Sequence, residues 1–246
     1  EKAMLGLARA AHAATGCENL VLAGGVALNC VANGRILREG PFANLWIQPA
    51  AGDAGGALGA ALFVHYQLLN GTRQVDGRRD LQKASLLGPS FDDATIGQFL
   101  EERGIKAVRY DNLEALVDRV SDLMAEGNVI GWFQERMEFG PRALGCRSII
   151  GDARNREMQT TMNVKIKFRE SFRPFAPSAL AERTAEFFDL AVESPYMLLV
   201  AQVRADRLLT SSDGELTGLD KLRAIRSVIP AVTHVDYSAR VQTVSR

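Results

Sequence analysis

Residues 19–29 read NLVLAGGVALN, and residues 45–56 read LWIQPAAGDAGG. In each stretch a short apolar run ends at a glycine-rich turn, and residues with helical spacing follow. Short apolar runs bounded by glycine or proline are typical of buried strands. A helix-forming stretch, residues 3–14, precedes the first strand. The alternation of helix and strand predicts an α/β fold for residues 1–70.

Residues 71–90 interrupt this rhythm, because they are polar, carry three glycines and a proline, and show no sustained period. We expect a linker there. A second unit begins near Phe91, and its helices and strands do not alternate regularly, which predicts a mixed α+β fold for residues 91–246. Its predicted elements are a helix capped by Asp92, an amphipathic helix over 113–124, and strands over 129–133, 196–203, 229–235 and 240–244.

The composition excludes several classes of protein. The chain has 246 residues, of which 47% are hydrophobic and 24% charged, as in ordinary globular proteins. Its 29 basic residues balance 29 acidic ones, so the net charge favours neither nucleic acid nor membrane as a partner. Three cysteines without C-x-x-C spacing favour a reducing, cytoplasmic setting. No apolar run approaches the ~18 residues of a membrane span.

The two glycine-rich turns are candidates for ligand binding. Glycine lets a backbone approach a ligand closely, and free N–H groups at the start of a helix attract phosphate. Tight packing of a strand on a helix also uses glycine, so one such turn is weak support. Two turns in one sheet, one with Asn29 and the other with Asp53, favour a nucleotide-binding cleft. A carboxylate at the position of Asp53 is also suited to metal binding.

Residues 140–180 form a basic block, with eight basic residues against three acidic ones. The basic residues are Arg142, Arg147, Arg154, Arg156, Lys165, Lys167, Arg169 and Arg173. In an extended strand Lys165, Lys167 and Arg169 would share one side. Because guanidinium groups bind phosphate oxygens in pairs, the block predicts a pocket for a triphosphate or a small phosphorylated substrate.

Two other interpretations of the basic block remain open. A charge run is usually a solvated face, although the interleaved Phe168, Phe172 and Phe175 are unlike one. Basic residues mixed with aromatic ones also suit single-stranded nucleic acid. Nucleic acid ranks lower as a partner, because the basic excess stays local.

His234 lies close in sequence to Asp236 and Ser238. These three residues are too near one another in the chain for the usual geometry of a catalytic triad, and we reject that interpretation. Phosphate binding by Arg240, with His234 in support, is the better hypothesis. Cys146 is interpreted as a small buried residue of a turn rather than a nucleophile.

Several motifs together resemble the carbamoyltransferases of the nodulation and antibiotic-tailoring type. They are Gly131–Phe133, GPRALG at 140–145, Arg147-Ser148-Ile149, Met162-Asn163, Lys167, Arg169-Glu170, FRPFAP at 172–177, THVD at 233–236 and ARVQTV at 239–244. The likeness covers most of the chain, and its central block is highly specific.

The resemblance implies a domain plan and a reaction. Residues 1–70 resemble the C-terminal part of a Kae1-like, actin-related ATPase domain, and residues 91–246 a C-terminally truncated YrdC-like domain, so we expect an internal fragment. In that family the YrdC-like domain makes carbamoyl-adenylate from carbamoyl phosphate and ATP. The Kae1-like domain then transfers the carbamoyl group to a hydroxyl of a sugar, nodulation factor or antibiotic. A fragment is not expected to complete that transfer alone.

The resemblance also implies roles for individual residues. The expected catalytic residues, which hold carbamoyl phosphate and the ATP phosphates, are Arg142, Arg147, Lys167 and Arg173. Further substrate- or phosphate-binding residues are Arg169, Arg240, Ser178 and His234. Nucleotide contacts are expected from Gly24, Gly25 and Asn29, and a metal contact from Asp53. The expected metals are iron in the Kae1-like domain, whose paired histidines lie outside this sequence, and Mg²⁺ with ATP.

Three other functions remain open. One is a tRNA-modification enzyme that forms threonylcarbamoyl-adenylate, another is a non-catalytic nucleotide- or RNA-binding module, and the third is a scaffold. The expected partners are carbamoyl phosphate and a hydroxyl-bearing acceptor, without membrane or nucleic acid. The sequence leaves a homodimer open.

Overall fold

The computed structural model describes residues 1–75, 80–209 and 217–245. The α-helices are α1 (Lys2–Thr15), α2 (Cys30–Glu39), α3 (Ala54–Phe63), α4 (Asp93–Glu102), α5 (Leu113–Ala125) and α6 (Met158–Thr161). The strands are β1 (Asn19–Leu22), β2 (Asn44–Ile47), β3 (Ile130–Phe133), β4 (Arg147–Ile150), β5 (Ser178–Leu180), β6 (Phe188–Asp189), β7 (Leu199–Val203) and β8 (Ser238–Val244). This is a mixed α/β structure, as the sequence predicts.

The N-terminal elements follow the sequence pattern closely. Strands β1 and β2 pair in parallel, so their carboxyl ends lie at the same edge. Helix α1 ends at Gly16, whose φ of 65° is a left-handed conformation that glycine adopts at low cost. The Asn29 side chain accepts a hydrogen bond from the backbone N–H of Ala32 and begins α2.

The C-terminal part contains two further sheets. Strands β3 and β4 form an antiparallel pair. A four-stranded sheet has the order β5-β8-β7-β6, in which β5 and β8 are parallel and the other pairs antiparallel. Strand β8 is central in this sheet, and its Ala239 and Val241 are fully buried.

The predicted amphipathic helices form, but their apolar faces are only partly covered. Asp92 and Asn112 cap α4 and α5 through their side chains. No residue of either helix is buried. Leu113 is 67% exposed. Hydrophobic spacing therefore predicts the helix correctly here without predicting full burial.

Two predictions of extended segments are wrong. Residues 229–235 contain a short 3₁₀ turn, Pro230–Val232, instead of a strand. Proline lacks an N–H and has a helix-compatible φ, so it suits the first position of such a turn. Residues 165–169 do not form a strand either, because α6 continues into a π-helical turn, Met162–Ile166, and Phe168 has a φ of 48°.

One core joins the N-terminal elements to the C-terminal sheet. Ala27 and Ile47 pack in the same buried cluster as Leu198 and Leu199. The predicted boundaries of the two units and the linker stay predictions. Among the helices of the described ranges, none combines the length and apolar character that crossing a bilayer requires.

Helix α2 docks on β7 through polar contacts to carbonyl oxygens. The buried Asn33 donates through Nδ2 to the carbonyls of Ala27, at 2.8 Å, and Leu198, at 3.1 Å. Arg38 donates to the Val200 carbonyl at 2.9 Å. A Cβ added at Gly34 would lie 2.5 Å from that same oxygen, so only glycine fits this close approach.

We therefore expect Gly34→Ala to lower the free energy of unfolding by about 1–3 kcal/mol, since the backbone must shift to accept the methyl group. Urea unfolding measures the change. Gly6→Ala in α1 is the matched control, because nothing lies within 4 Å of a Cβ there. The control should be neutral or stabilising, by up to ~1 kcal/mol. Equal effects of the two substitutions would contradict the docking.

Candidate anion-binding site

Three arginines, one from a loop, one from a turn and one from a strand, lie near enough for the charges of two of them to act on the third. Arg142 lies in the loop 140–145, Arg169 follows the π-helical turn, and Arg240 lies in β8. The Arg240 guanidinium is close enough to the other two for their charges to act on it. Burial first, and then repulsion from Arg142 and Arg169, lower the pKa of Arg240 below its ordinary value. We call these residues the arginine cluster.

No arginine of the cluster forms an ion pair with a carboxylate within the described ranges, although the charge of Arg169 acts on the exposed Glu170 carboxylate. The ion pairs found there involve none of these three arginines. The Nε atoms of Arg142 and Arg240 are buried without a hydrogen-bond partner. Arg169 donates from Nε to the Asn163 side chain at 2.6 Å and lies 5.0 Å from the centre of the Phe175 ring. Positive charges gathered without an ion-paired carboxylate are suited to binding an anion.

Residues 28–30 of the N-terminal segment complete the surroundings of the cluster. Arg142 donates to the Leu28 carbonyl at 3.3 Å. The Cys30 side chain, in the first turn of α2, lies close enough to Arg240 to oppose the lowering of its pKa. The site therefore lies where the N-terminal elements meet the C-terminal sheet.

The loop 140–145 is held from two sides. Gly140 has a φ of 134°, which favours glycine, and packs toward Ala50. On the other side the Gln242 amide donates to the Leu144 carbonyl at 2.7 Å. Arg142 is consequently presented from a loop with fixed ends.

The two glycine-rich turns meet as the sequence predicts. The Gly24 N–H donates to the Ala51 carbonyl at 2.8 Å, which joins the turns at the carboxyl ends of β1 and β2. They line an open cavity of about 500 Å³ that includes Gly25 and Asp53. Nucleotide binding by Gly24, Gly25 and Asn29 stays a prediction.

Asp53 is exposed at the start of α3 and contributes the one ionisable side chain among the described residues that line this cavity. Within the described ranges, no group of three or more His, Cys, Asp or Glu side chains is arranged to hold a metal ion. The residues present therefore do not form a metal centre by themselves. Asp53 as a metal ligand stays a prediction that needs further ligands.

The other predicted phosphate ligands lie in different surroundings. The Arg147 guanidinium stacks 3.5 Å from the centre of the Phe133 ring and donates to the Glu135 carbonyl at 3.1 Å. Lys167 is exposed. Arg173 pairs with Glu170 at 2.7 Å and is half exposed. Their roles in phosphate binding stay predictions, and Arg147 in addition stabilises the loop before β4.

Ser178 and His234 are tied to β8. The Ser178 hydroxyl donates at 2.7 Å to Gln242, the residue that holds the loop 140–145. The His234 Nδ1 lies 3.0 Å from the Ser238 hydroxyl, which donates to Asp236 at 2.6 Å. Serine stands between histidine and aspartate, whereas a triad needs histidine in the middle. The arrangement supports the rejection of a triad.

Two contributors to the site were missed in the sequence. Asn163 is fully buried and binds Arg169 as well as the carbonyls of Ser171 and Arg173, which bends the basic block back on itself. Glu138 is buried and accepts N–H groups of the segment that follows the loop. The available signal was the glycine-rich loop itself, whose N–H groups need acceptors that a neighbouring polar residue supplies.

Burial lowers the pKa of the His234 imidazole, and the charge of Arg240 acts in the same direction while Asp236 opposes it. The unfolded chain then binds the proton more readily, so stability falls as the pH drops through ~6.5. We expect His234→Gln to lose less free energy of unfolding than the wild type between pH 7.5 and 5.5. Urea unfolding at both pH values tests this.

The exposed His65 supplies the control for that experiment. His65→Gln should keep the wild-type pH dependence. A pH dependence that His234→Gln leaves unaltered would refute the assigned environment of His234.

Comparison with known families identifies the chain. A family model described as "Carbamoyltransferase C-terminus" matches residues 121–246, and one described as "Carbamoyltransferase N-terminus" matches residues 1–62. The chain belongs to the carbamoyltransferase family, as its motifs suggest.

Similar proteins include an uncharacterised protein of Synechocystis, which is 58% identical over 99% of this chain and 40% of its own length. The nodulation proteins NolNO of Sinorhizobium fredii and NolO of Bradyrhizobium diazoefficiens are 42% and 41% identical, over 94% and 95% of this chain. The chain spans 31% and 39% of those two relatives. It thus corresponds to well under half of their length.

Proposed function

We propose that the arginine cluster binds the phosphate of carbamoyl phosphate, and that the full-length protein carrying this chain transfers the carbamoyl group to a hydroxyl of an acceptor. The observation that carries the proposal is that the charges of Arg142 and Arg169 act on Arg240, while none of the three forms an ion pair with a carboxylate in the described ranges. A phosphate dianion supplies the charge and the oxygen atoms that such a cluster lacks. Membership of the carbamoyltransferase family makes carbamoyl phosphate the natural source of that dianion.

The proposed reaction passes through carbamoyl-adenylate. Atom balance requires carbamoyl phosphate, ATP and water to give carbamoyl-adenylate, pyrophosphate and inorganic phosphate. Fixed guanidinium groups would stabilise the negative charge that moves between phosphate oxygens during these steps. Mg²⁺ is proposed to accompany ATP, and no step is assigned to iron.

The position of the cluster suits such a sequence of steps. Leu28, whose carbonyl binds Arg142, ends the short 3₁₀ turn Gly25–Leu28, and Gly25 lines the predicted nucleotide cavity. One helical turn thus separates the proposed phosphate site from the proposed nucleotide site. We propose that the N-terminal segment belongs to a Kae1-like domain, that the C-terminal segment belongs to a YrdC-like domain, and that the acceptor is a sugar, a nodulation factor or an antibiotic.

Replacing a cluster arginine should weaken carbamoyl phosphate binding. A charge-assisted hydrogen bond contributes about 1.5–3 kcal/mol, so Arg142→Ala, Arg169→Ala and Arg240→Ala should each lower the affinity roughly 10- to 100-fold. Isothermal titration of the full-length protein with carbamoyl phosphate measures this. Pyrophosphate release that requires both ATP and carbamoyl phosphate should fall in parallel.

The control is Arg154→Ala, which removes an exposed arginine of the same basic block that already pairs with Asp152. It should leave both measurements unchanged. Lys167→Ala with Arg173→Ala should have a smaller effect than any cluster variant, because both side chains lie in solvent. Equal effects of Arg154→Ala and the cluster variants, or pyrophosphate release that depends on threonine and bicarbonate instead, would contradict the proposal.

A further inference from the structure

Glu138 is an acidic residue whose surroundings differ from those of a surface carboxylate. Its side chain is 8% exposed. One carboxylate oxygen, Oε1, accepts the N–H groups of Leu144 at 2.8 Å, Cys146 at 2.7 Å and Arg147 at 3.3 Å. The ion pairs of the described ranges do not include Glu138.

These hydrogen bonds keep the carboxylate ionised. Burial alone would raise the pKa of Glu138, but the backbone N–H groups of Leu144, Cys146 and Arg147 outweigh it and hold the pKa below its ordinary value. A protonated or neutral side chain would accept these bonds more weakly. The charge of Glu138 is therefore part of what holds the segment 144–147 in place.

The bonds of Glu138 close a ring of chain around Arg142. Glu138 precedes Arg142 by four residues, and the first N–H group that Glu138 binds, that of Leu144, lies two residues after Arg142. Gln242 and Ser148 also bind the loop, at 2.7 Å to the Leu144 carbonyl and at 3.0 Å to the Gly145 N–H, whereas the Arg142 side chain makes one long bond of 3.3 Å to the Leu28 carbonyl. The direction of the Arg142 side chain therefore depends on the hydrogen bonds that hold the two ends of this loop together.

We infer that Glu138 is a positioning residue for Arg142: its carboxylate acts as an internal anion that binds the N–H groups of Leu144, Cys146 and Arg147 and thereby helps to fix the guanidinium in the arginine cluster. The inference rests on the proposed anion-binding role of the cluster and adds a residue that does not touch the anion. Its consequence is energetic coupling, because the contribution of Arg142 to the free energy of anion binding depends on Glu138.

A double-mutant cycle in the full-length protein, with inorganic phosphate as the probe, tests the coupling. Glu138→Gln preserves the shape of the side chain and removes its charge. We expect Glu138→Gln to lower the phosphate affinity about 10-fold. Arg142→Ala should lower that affinity at least 10-fold in the wild type but less than 3-fold in the Glu138→Gln background. Glu135→Gln is the matched control, since it is the same change at an exposed position three residues away, and it should stay within 2-fold of the wild type.

The outcomes separate this inference from the proposed function. If Arg142→Ala has no effect on phosphate affinity in the wild type, the proposed anion site is wrong. If Arg142→Ala costs the same factor in both backgrounds, the anion site stands and the positioning role of Glu138 is wrong. If Glu138→Gln lowers the stability of the protein but shows no coupling to Arg142→Ala, the positioning role is also wrong, because a purely structural role of Glu138 predicts that result.

Cys146 provides a second readout that requires no change at Glu138. Burial and the nearby charge of Glu138 raise the pKa of the Cys146 thiol, and the Cys146 N–H binds the Glu138 carboxylate. Phosphate bound by Arg142 should tighten this loop, so saturating phosphate should slow alkylation of Cys146 at least 3-fold in the wild type and have no effect in Arg142→Ala. Site-resolved mass spectrometry separates Cys146 from Cys17 and Cys30. An alkylation rate of Cys146 that phosphate leaves unchanged, in a protein whose phosphate affinity depends on Arg142, would overturn the inference and leave the anion site standing.

Discussion

Repulsion of the Arg240 guanidinium by Arg142 and Arg169 is the physical constraint on which the proposed function depends. Bringing like charges together in a partly desolvated place costs free energy, and the lowered pKa of Arg240 reflects that cost. Structures tolerate such an arrangement where other packing outweighs it, commonly at functional sites. In the proposed function, an arriving phosphate would relieve the repulsion and gain strong hydrogen bonds at the same time.

The contact between α2 and β7 supports the strand that neighbours Arg240. Arg38 donates to the Val200 carbonyl, and Val200 is the register partner of Arg240 in the neighbouring strand β8. The same docking therefore sets the distance between the first turn of α2, where Cys30 lies, and the Arg240 guanidinium. Glu138 performs a comparable task for Arg142 by holding its loop. The cluster is thus assembled by two independent supports, one for each of these arginines.

The sequence predicted most helices and strands, but it did not predict which basic residues lie near one another. Short apolar runs before glycine turns located β1 and β2, because a parallel pair at the edge of a cleft leaves a local signature. Arg169 was expected beside Lys165 and Lys167 on one face of a strand. Instead, the buried Asn163 bends the segment so that Arg169 turns inward while both lysines stay in solvent.

Other parts of the site depend on contacts distant in sequence, which no local pattern encodes. The bond from Arg142 to the Leu28 carbonyl spans 114 residues, and the bond from Gln242 to Leu144 spans 98. The 3₁₀ turn at Pro230 was mistaken for a strand because burial of Ile229 and Val232 resembles the burial of a strand. Local sequence reports which residues are buried or charged, and tertiary packing decides which of them meet.

Nitrogen-15 NMR of the arginine side chains during a titration with inorganic phosphate tests the central claim most directly. The Nε–Hε resonances of Arg142, Arg169 and Arg240 should shift together with one dissociation constant, while that of Arg154 stays in place. Resonances of the three residues that shift with different dissociation constants, or that do not shift at all, would show that their guanidinium groups do not share one anion.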